Sequence, residues 1–137
     1  MTRYLLDTSA LIDFSKGREP ASTRILEMID GGDEVGVCEI NVAEFYAGLP
    51  PETRPIWDAF FTALTYWPIS RQAAMRAGQY RHAFAREGRT LTTTDALVAA
   101  VAQEYQAVVV TDNLKDYPMA EVRLLPLRQE DEPLGTG

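Results

Sequence analysis

The chain carries one cysteine and one histidine in 137 residues. A lone Cys38 excludes a disulfide framework and a thiolate zinc site within the chain. A lone His82 excludes a metal centre built on two imidazoles, and any serine–histidine chemistry would depend on that one ring. Long hydrophobic runs are missing too: no apolar stretch approaches the roughly 20 residues a helix needs to cross a bilayer. The short apolar start runs straight into Asp7, Thr8 and Ser9, unlike a secretory leader, so no membrane association and a cytoplasmic setting are expected. Basic residues are scarce, 13 against 20 acidic ones, for a net charge of −7. That balance argues against a surface that grips nucleic acid everywhere, because phosphate contacts come chiefly from Lys and Arg. The bases are unevenly spread, however. Arg71, Arg76, Arg81, Arg86 and Arg89 are offset only by Glu87 between positions 70 and 89, whereas Glu130, Asp131 and Glu132 make the C-terminal end acidic.

What is present suits one globular domain, with 46% hydrophobic and 24% charged residues and enough chain for a core without covalent staples. Apolar runs at Arg3 to Leu6, Val35 to Cys38 and Ala107 to Val110 read as buried strands, with a shorter one at Tyr66 to Ile69. Val122 to Leu127 reads as a strand at the sheet edge, where Pro126 costs no ladder donor. Between them lie helical patterns. One begins near Ala10, with Thr8 or Ser9 as its cap. Another follows Pro20, carries Ile25, Leu26, Met28 and Ile29, and stops at Gly31-Gly32. A third runs from Asn41 to Leu49, and Trp57, Phe60, Phe61 and Leu64 mark a fourth, as core or dimer contacts. Ala73, Ala77, Tyr80 and Phe84 form the apolar stripe of the arginine-rich helix, whose arginines and His82 fall outside it. The last helix is expected from Asp95 to about Gln103, with Leu97, Val98 and Val101 on its buried side. Strands apolar throughout, alternating with helices, predict an α/β fold: a doubly wound parallel β-sheet flanked by helices on both faces.

In such a sheet, ligands bind outside the carboxyl ends of the strands, and acids recur there. Asp7 follows the first strand, Asp112 follows the Ala107 strand, Glu44 is expected in the first turn of the third helix, and Asp95 opens the last. Carboxylates gathered in one cleft repel unless a cation neutralises them, and Mg²⁺ or Mn²⁺ suits an all-oxygen site. The spacing also admits a second reading. First helical turns favour acids, Glu44 three residues after Asn41 matches a capping box, and Asp95 after Thr94 could face a helix dipole.

Four segments in order give the sequence a family likeness: Leu5-Leu6-Asp7-Thr8-Ser9-Ala10-Leu11-Ile12-Asp13, Asn41-Val42-Ala43-Glu44-Phe45-Tyr46-Ala47-Gly48-Leu49, Thr94-Asp95-Ala96-Leu97-Val98-Ala99-Ala100-Val101-Ala102, and Val109-Val110-Thr111-Asp112-Asn113-Leu114-Lys115-Asp116-Tyr117. Together they resemble the PIN-domain family, and within it the VapC-type toxins of toxin–antitoxin pairs. The resemblance implies a PIN-like nuclease domain over residues 1–128, with residues 129–137 as a disordered acidic tail. It also implies a Mg²⁺- or Mn²⁺-dependent endoribonuclease acting on an RNA substrate, a homodimer, and inhibition by a cognate VapB-like antitoxin gripping a groove between neighbouring helices. Carried over by position, Asp7, Glu44 and Asp95 are the core catalytic and metal-binding acids. Asp112, Asn113 and Asp116 compete for the fourth place, with Asp112 ranked first and Asp116 second. Thr8, Ser9 and Thr111 would assist or touch substrate, and Arg81, Arg86 and Arg89 would hold the RNA backbone. Asn41 stands where the family often has Thr or Ser. A PIN nuclease of RNA processing and a non-cutting PIN-like binding module remain alternatives. A haloacid-dehalogenase-like phosphatase would need a second Asp where this chain has Ser9.

Overall fold

The structure is a computed structural model that describes residues 1–128; the expected acidic tail, residues 129–137, lies outside the described residues. The elements run β1 (Arg3–Leu6), α1 (Thr8–Ser15), α2 (Ala21–Asp30), β2 (Glu34–Val37), α3 (Glu39–Ala47), α4 (Arg54–Thr62), β3 (Thr65–Tyr66), α5 (Arg71–Ala85), α6 (Thr93–Tyr105), β4 (Val108–Thr111) and β5 (Leu124–Pro126). All neighbouring strands are parallel, in the order β3-β2-β1-β4-β5. The central strand β1 sets Leu5 opposite Gly36 on one side and Val109 on the other.

Successive residues of a strand point to opposite faces, and here both faces are core. Leu5 and Val109 pack with Trp67, the Ala73, Ala77 and Tyr80 stripe of α5, and α6. Leu6 and Val110 pack on the other side with Leu11, Ile25, Phe45 and Phe61 from α1 to α4. These four strand residues are 0% exposed, which explains why the strands read as unbroken apolar runs rather than alternating ones. Small residues let α6 lie deep: Ala96, Val98, Ala99, Ala100, Val101 and Ala102 are all buried, while Leu97 is only partly so. The face of α2 divides, with Ile25 and Met28 in the core and Leu26 exposed, so Ile25 is not open to a partner. Among the described residues, no helix is long and apolar enough to cross a membrane.

Several boundaries differ from the sequence reading. Cys38 precedes α3 rather than ending β2, and α3 starts at Glu39, so Glu44 sits mid-helix instead of in the first turn. Asn41 is then a fully buried helical residue and not a cap. Asp7 itself, not Thr8 or Ser9, caps α1. The last helix begins two residues early, at Thr93, with Thr92 as its cap, and it extends to Tyr105. Strand β3 has two residues only, before Trp67 turns into the core. Strand β5 lies at the sheet edge, as Pro126 predicts, although it is confined to Leu124–Pro126.

Gly36 is required by close approach. A Cβ there would stand 2.6 Å from the Thr65 carbonyl oxygen and 2.8 Å from the Trp67 ring. Because the first of these atoms is backbone of a paired strand, it cannot swing aside. Gly36→Ala should therefore destabilise the protein by about 1–3 kcal/mol, the usual cost of overpacking. Urea unfolding of the two proteins measures this, and equal midpoints would show that β3 can retreat.

Candidate active site

The order of strands reverses at β1, so a crevice opens beyond its carboxyl end, between β1 and β4. Asp7 stands there, 5% exposed. Its Oδ1 accepts from the Ala10 N–H at 2.9 Å and the Ser9 hydroxyl at 2.7 Å, the first of these being the cap of α1. Its Oδ2 accepts from the Tyr117 hydroxyl at 3.0 Å. Burial pushes the Asp7 carboxyl above its ordinary value, and the hydroxyls of Thr111, Ser9 and Tyr117 and the Ala10 N–H only partly offset this.

Asp95 meets Asp7 through the same phenol. The Tyr117 hydroxyl lies 3.5 Å from Asp95 Oδ1, so the end of β1, the first turn of α6 and the loop after β4 converge on one oxygen. The Asp95 carboxyl is pushed up to about 6, first by burial and further by Asp116, Asp7 and Glu44, against the Thr92 hydrogen bond. Glu44 is clamped between residues adjacent to the two aspartates. Thr8 donates to its Oε1 at 2.7 Å and Thr94 to its Oε2 at 2.9 Å. Thr8 in turn accepts from Asn41 Nδ2 at 3.1 Å, and Asn41 Oδ1 accepts from the Cys38 thiol at 3.3 Å. The capping-box explanation of Asn41 and Glu44 therefore fails; both side chains turn toward β1 instead. Asp95 does stand in the first turn of α6, its N–H donating to the capping Thr92 Oγ1 at 3.0 Å, and its carboxylate also faces Tyr117.

The loop after β4 separates the two leading candidates for the fourth acid. Arg128 stands against Asp112, its Nε 2.8 Å from Oδ1 without aligning as a hydrogen bond, while Asp112 also feels the Asp7 charge. Burial raises the Asp112 carboxyl and the facing Asp13 adds to this, while Arg128 opposes it. Asp13 is itself paired with Arg18 at 3.0 Å. Asp116 is instead the charged neighbour that acts most on Asp95. Asn113 is exposed, and its N–H donates to Thr111 Oγ1. Ser9 ties the loop to the site by accepting from the Asp112 N–H at 3.0 Å while donating to Asp7.

Of the arginines, Arg81 donates to the Leu91 carbonyl at 3.0 Å and Arg89 to the Lys115 carbonyl at 2.8 Å, so both brace loops that flank the site. Arg86 is exposed. Sequence reasoning missed Tyr117 and Asp13. For Tyr117 the only signal is a phenol beside Asp116, because a buried hydroxyl seeks a partner; Asp13 shows no signal beyond lying on the first helix.

Among the described residues, no group of three or more His, Cys, Asp or Glu side chains is arranged to hold a metal ion. Two carboxylates do converge, Asp7 and Asp95, with Glu44 tethered beside them. All donors are oxygen. That set fits Mg²⁺ or Mn²⁺, which take one or two carboxylates and fill their remaining positions with water and phosphate oxygens.

The chain is similar to known proteins over most of its length. A PIN-domain family model matches residues 4–122. Ribonuclease VapC19 of Mycobacterium tuberculosis (strain ATCC 25618 / H37Rv) is 27% identical over 115 residues, 84% of this chain and 92% of that protein. The tRNA(fMet)-specific endonuclease VapC of Shigella flexneri is 26% identical over 96% of this chain and 98% of its own length. A chain in the crystal structure of DNA-bound VapBC from Salmonella typhimurium superposes with a TM-score of 0.79 at 26% identity, covering 93% of this chain and 100% of that one.

The raised Asp95 carboxyl fixes the sign of a pH effect. Between its ordinary 3.8 and about 6, the folded chain holds a proton that the unfolded chain has lost. Its contribution to stability is thus full at low pH and is lost as pH rises through about 6. Asp95→Asn has no such loss. In EDTA, the variant should gain on the parent protein by on the order of 1 kcal/mol between pH 4 and pH 7, after discounting for solvent screening at this half-exposed group. Thermal melts across that range test it; a difference independent of pH would mean that the carboxylate is not destabilised in the fold.

Proposed function

The chain belongs to the PIN-domain family, and from that premise we propose that it is a Mg²⁺- or Mn²⁺-dependent endoribonuclease, the toxin of a toxin–antitoxin pair. The observation that carries this reading is the convergence of Asp7 and Asp95 on one hydroxyl, with Glu44 clamped next to them by Thr8 and Thr94. Asp7 and Asp95 would hold the cation. Glu44 supplies a third negative group, and Asp116 is a better fourth than Asp112, whose charge Arg128 already meets. When bound, the ion would activate a water and stabilise the charge that develops on a phosphodiester. The chain's own contribution is orientation. Ala10, Ser9 and Tyr117 fix the Asp7 carboxylate, and two threonine hydroxyls fix Glu44 without neutralising it. Arg86 is free to meet the RNA backbone, whereas Arg81 and Arg89 serve mainly to hold the flanking loops.

The antitoxin reading has its own support. The relatives named VapC, and a fold shared with VapBC complexes, favour a VapB-like partner for this chain. An apolar hollow of about 360 Å³, lined by Ile12, Phe45, Leu49 and Trp57 among others, lies between α1, α3 and α4. It is a better seat for an antitoxin segment than α2, whose Ile25 is fully buried. A homodimer acting in the cytoplasm completes the proposal.

Purified protein should cut single-stranded or looped RNA in Mn²⁺ and stop when EDTA is added. Asp7→Asn, which keeps the shape of the side chain, should lower the rate at least ~100-fold, the scale on which one preorganised electrostatic group acts. Cleavage that persists in EDTA, or a fully active Asp7→Asn protein, would remove the assignment.

A further inference from the structure

We propose that Tyr117 is a positioning residue that holds Asp7 and Asp95 together and thereby sets the affinity of this site for a divalent cation. The inference rests on the reading of these two acids as the cation's ligands. Tyr117 is 3% exposed, and its ring belongs to the core beneath α6, packed with Met119 and Val122. Its hydroxyl is therefore fixed by the core. From that fixed point it donates to Asp7 Oδ2 at 3.0 Å and stands 3.5 Å from Asp95 Oδ1.

The two aspartates come from elements with different reasons to be where they are. Asp7 is held by its cap contact and by Ser9, both on Oδ1. Asp95 is held by Thr92, through its N–H and a hydrogen bond to its carboxyl, and neither contact ties it to Asp7. Like charges converging on one phenol repel, and that repulsion pushes the Asp95 carboxylate outward. Among the described residues, no other side chain is hydrogen-bonded to both. The phenol has one proton to give: aimed at Asp7 Oδ2 and shared with Asp95 Oδ1, it draws both oxygens inward and adds no charge, so the pair remains attractive to a cation. Groups that orient a metal-binding carboxylate in this way typically matter by about 10–100-fold in metal affinity.

The test is calorimetric titration of Mn²⁺ into the full chain without RNA, comparing the parent protein with Tyr117→Phe. Phe keeps the ring and its packing, so the variant should melt cooperatively in EDTA. Its affinity for Mn²⁺ should fall about 10–100-fold. In cleavage assays its rate should need correspondingly more Mn²⁺ but reach a similar plateau, which a merely structural lesion would not produce. Tyr80→Phe is the control, because it removes a buried phenol hydroxyl on α5 that is hydrogen-bonded to neither aspartate; its affinity should equal the parent's. If the parent binds Mn²⁺ and Tyr117→Phe binds it equally well or more tightly, Tyr117 does not position the pair, and this inference alone is overturned. If the parent itself binds no Mn²⁺, the cation reading falls and takes this inference with it.

Discussion

A carboxylate buried at the end of the central strand has to be surrounded by donors, because leaving an ionised group unsolvated and unpaired costs several kcal/mol. Asp7 meets that requirement with three groups from two parts of the chain: the Ala10 N–H and Ser9 hydroxyl on α1, and the Tyr117 hydroxyl from the loop after β4. Each donor has a second task. The Ala10 contact starts α1, the Ser9 hydroxyl accepts from the Asp112 N–H, and Tyr117 reaches Asp95. Satisfying one acid thus fixes the relative positions of α1, α6 and the β4 loop, and the rest of the site is arranged around that solution.

The chemistry of the donors matters as much as their number. Around Asp7, Asp95 and Glu44 they are hydroxyls and one backbone N–H, all neutral. A neutral donor orients a carboxylate without cancelling its charge, so negative potential survives in the crevice. Asp112 shows the opposite solution a short distance away, where Arg128 stands against it. The same loop therefore holds one acid whose charge is spent on an ion pair and another, Asp116, whose charge is felt by Asp95. Burial raises the Asp95 carboxyl, Asp116, Asp7 and Glu44 add to this, and no cationic group offsets them.

Much of the fold was legible because both faces of the sheet are covered. Burial on two sides forces the inner residues of β1 and β4 to be apolar, and that demand writes itself into Leu5, Leu6, Val109 and Val110 as local runs. The amphipathic stripe of α5 was legible for the same reason, since Ala73, Ala77 and Tyr80 meet the core at helical spacing. Boundaries were less visible. Cys38 and Asn41 looked like the end of a strand and a helix cap, yet the chain enters α3 earlier because Asn41 is needed inside the fold to donate to Thr8. Hydrogen-bond capacity alone does not say which partner a side chain will choose.

What the sequence determined by itself was the layered α/β architecture and the identity of Asp7, Glu44 and Asp95 as acids carried to the same sheet edge. The architecture follows from periodicity, a local property of the chain; the acids were singled out by the resemblance to the PIN-domain family, since their spacing alone also allowed a helix-capping reading. What only the tertiary structure decided was how those acids are held: that Glu44 is mid-helix and gripped by Thr8 and Thr94, that Arg128 occupies Asp112, and that Tyr117 stands between Asp7 and Asp95. These contacts join residues up to 110 positions apart. They exist because packing β4 beside β1 sets one loop over another, a proximity that no local pattern encodes.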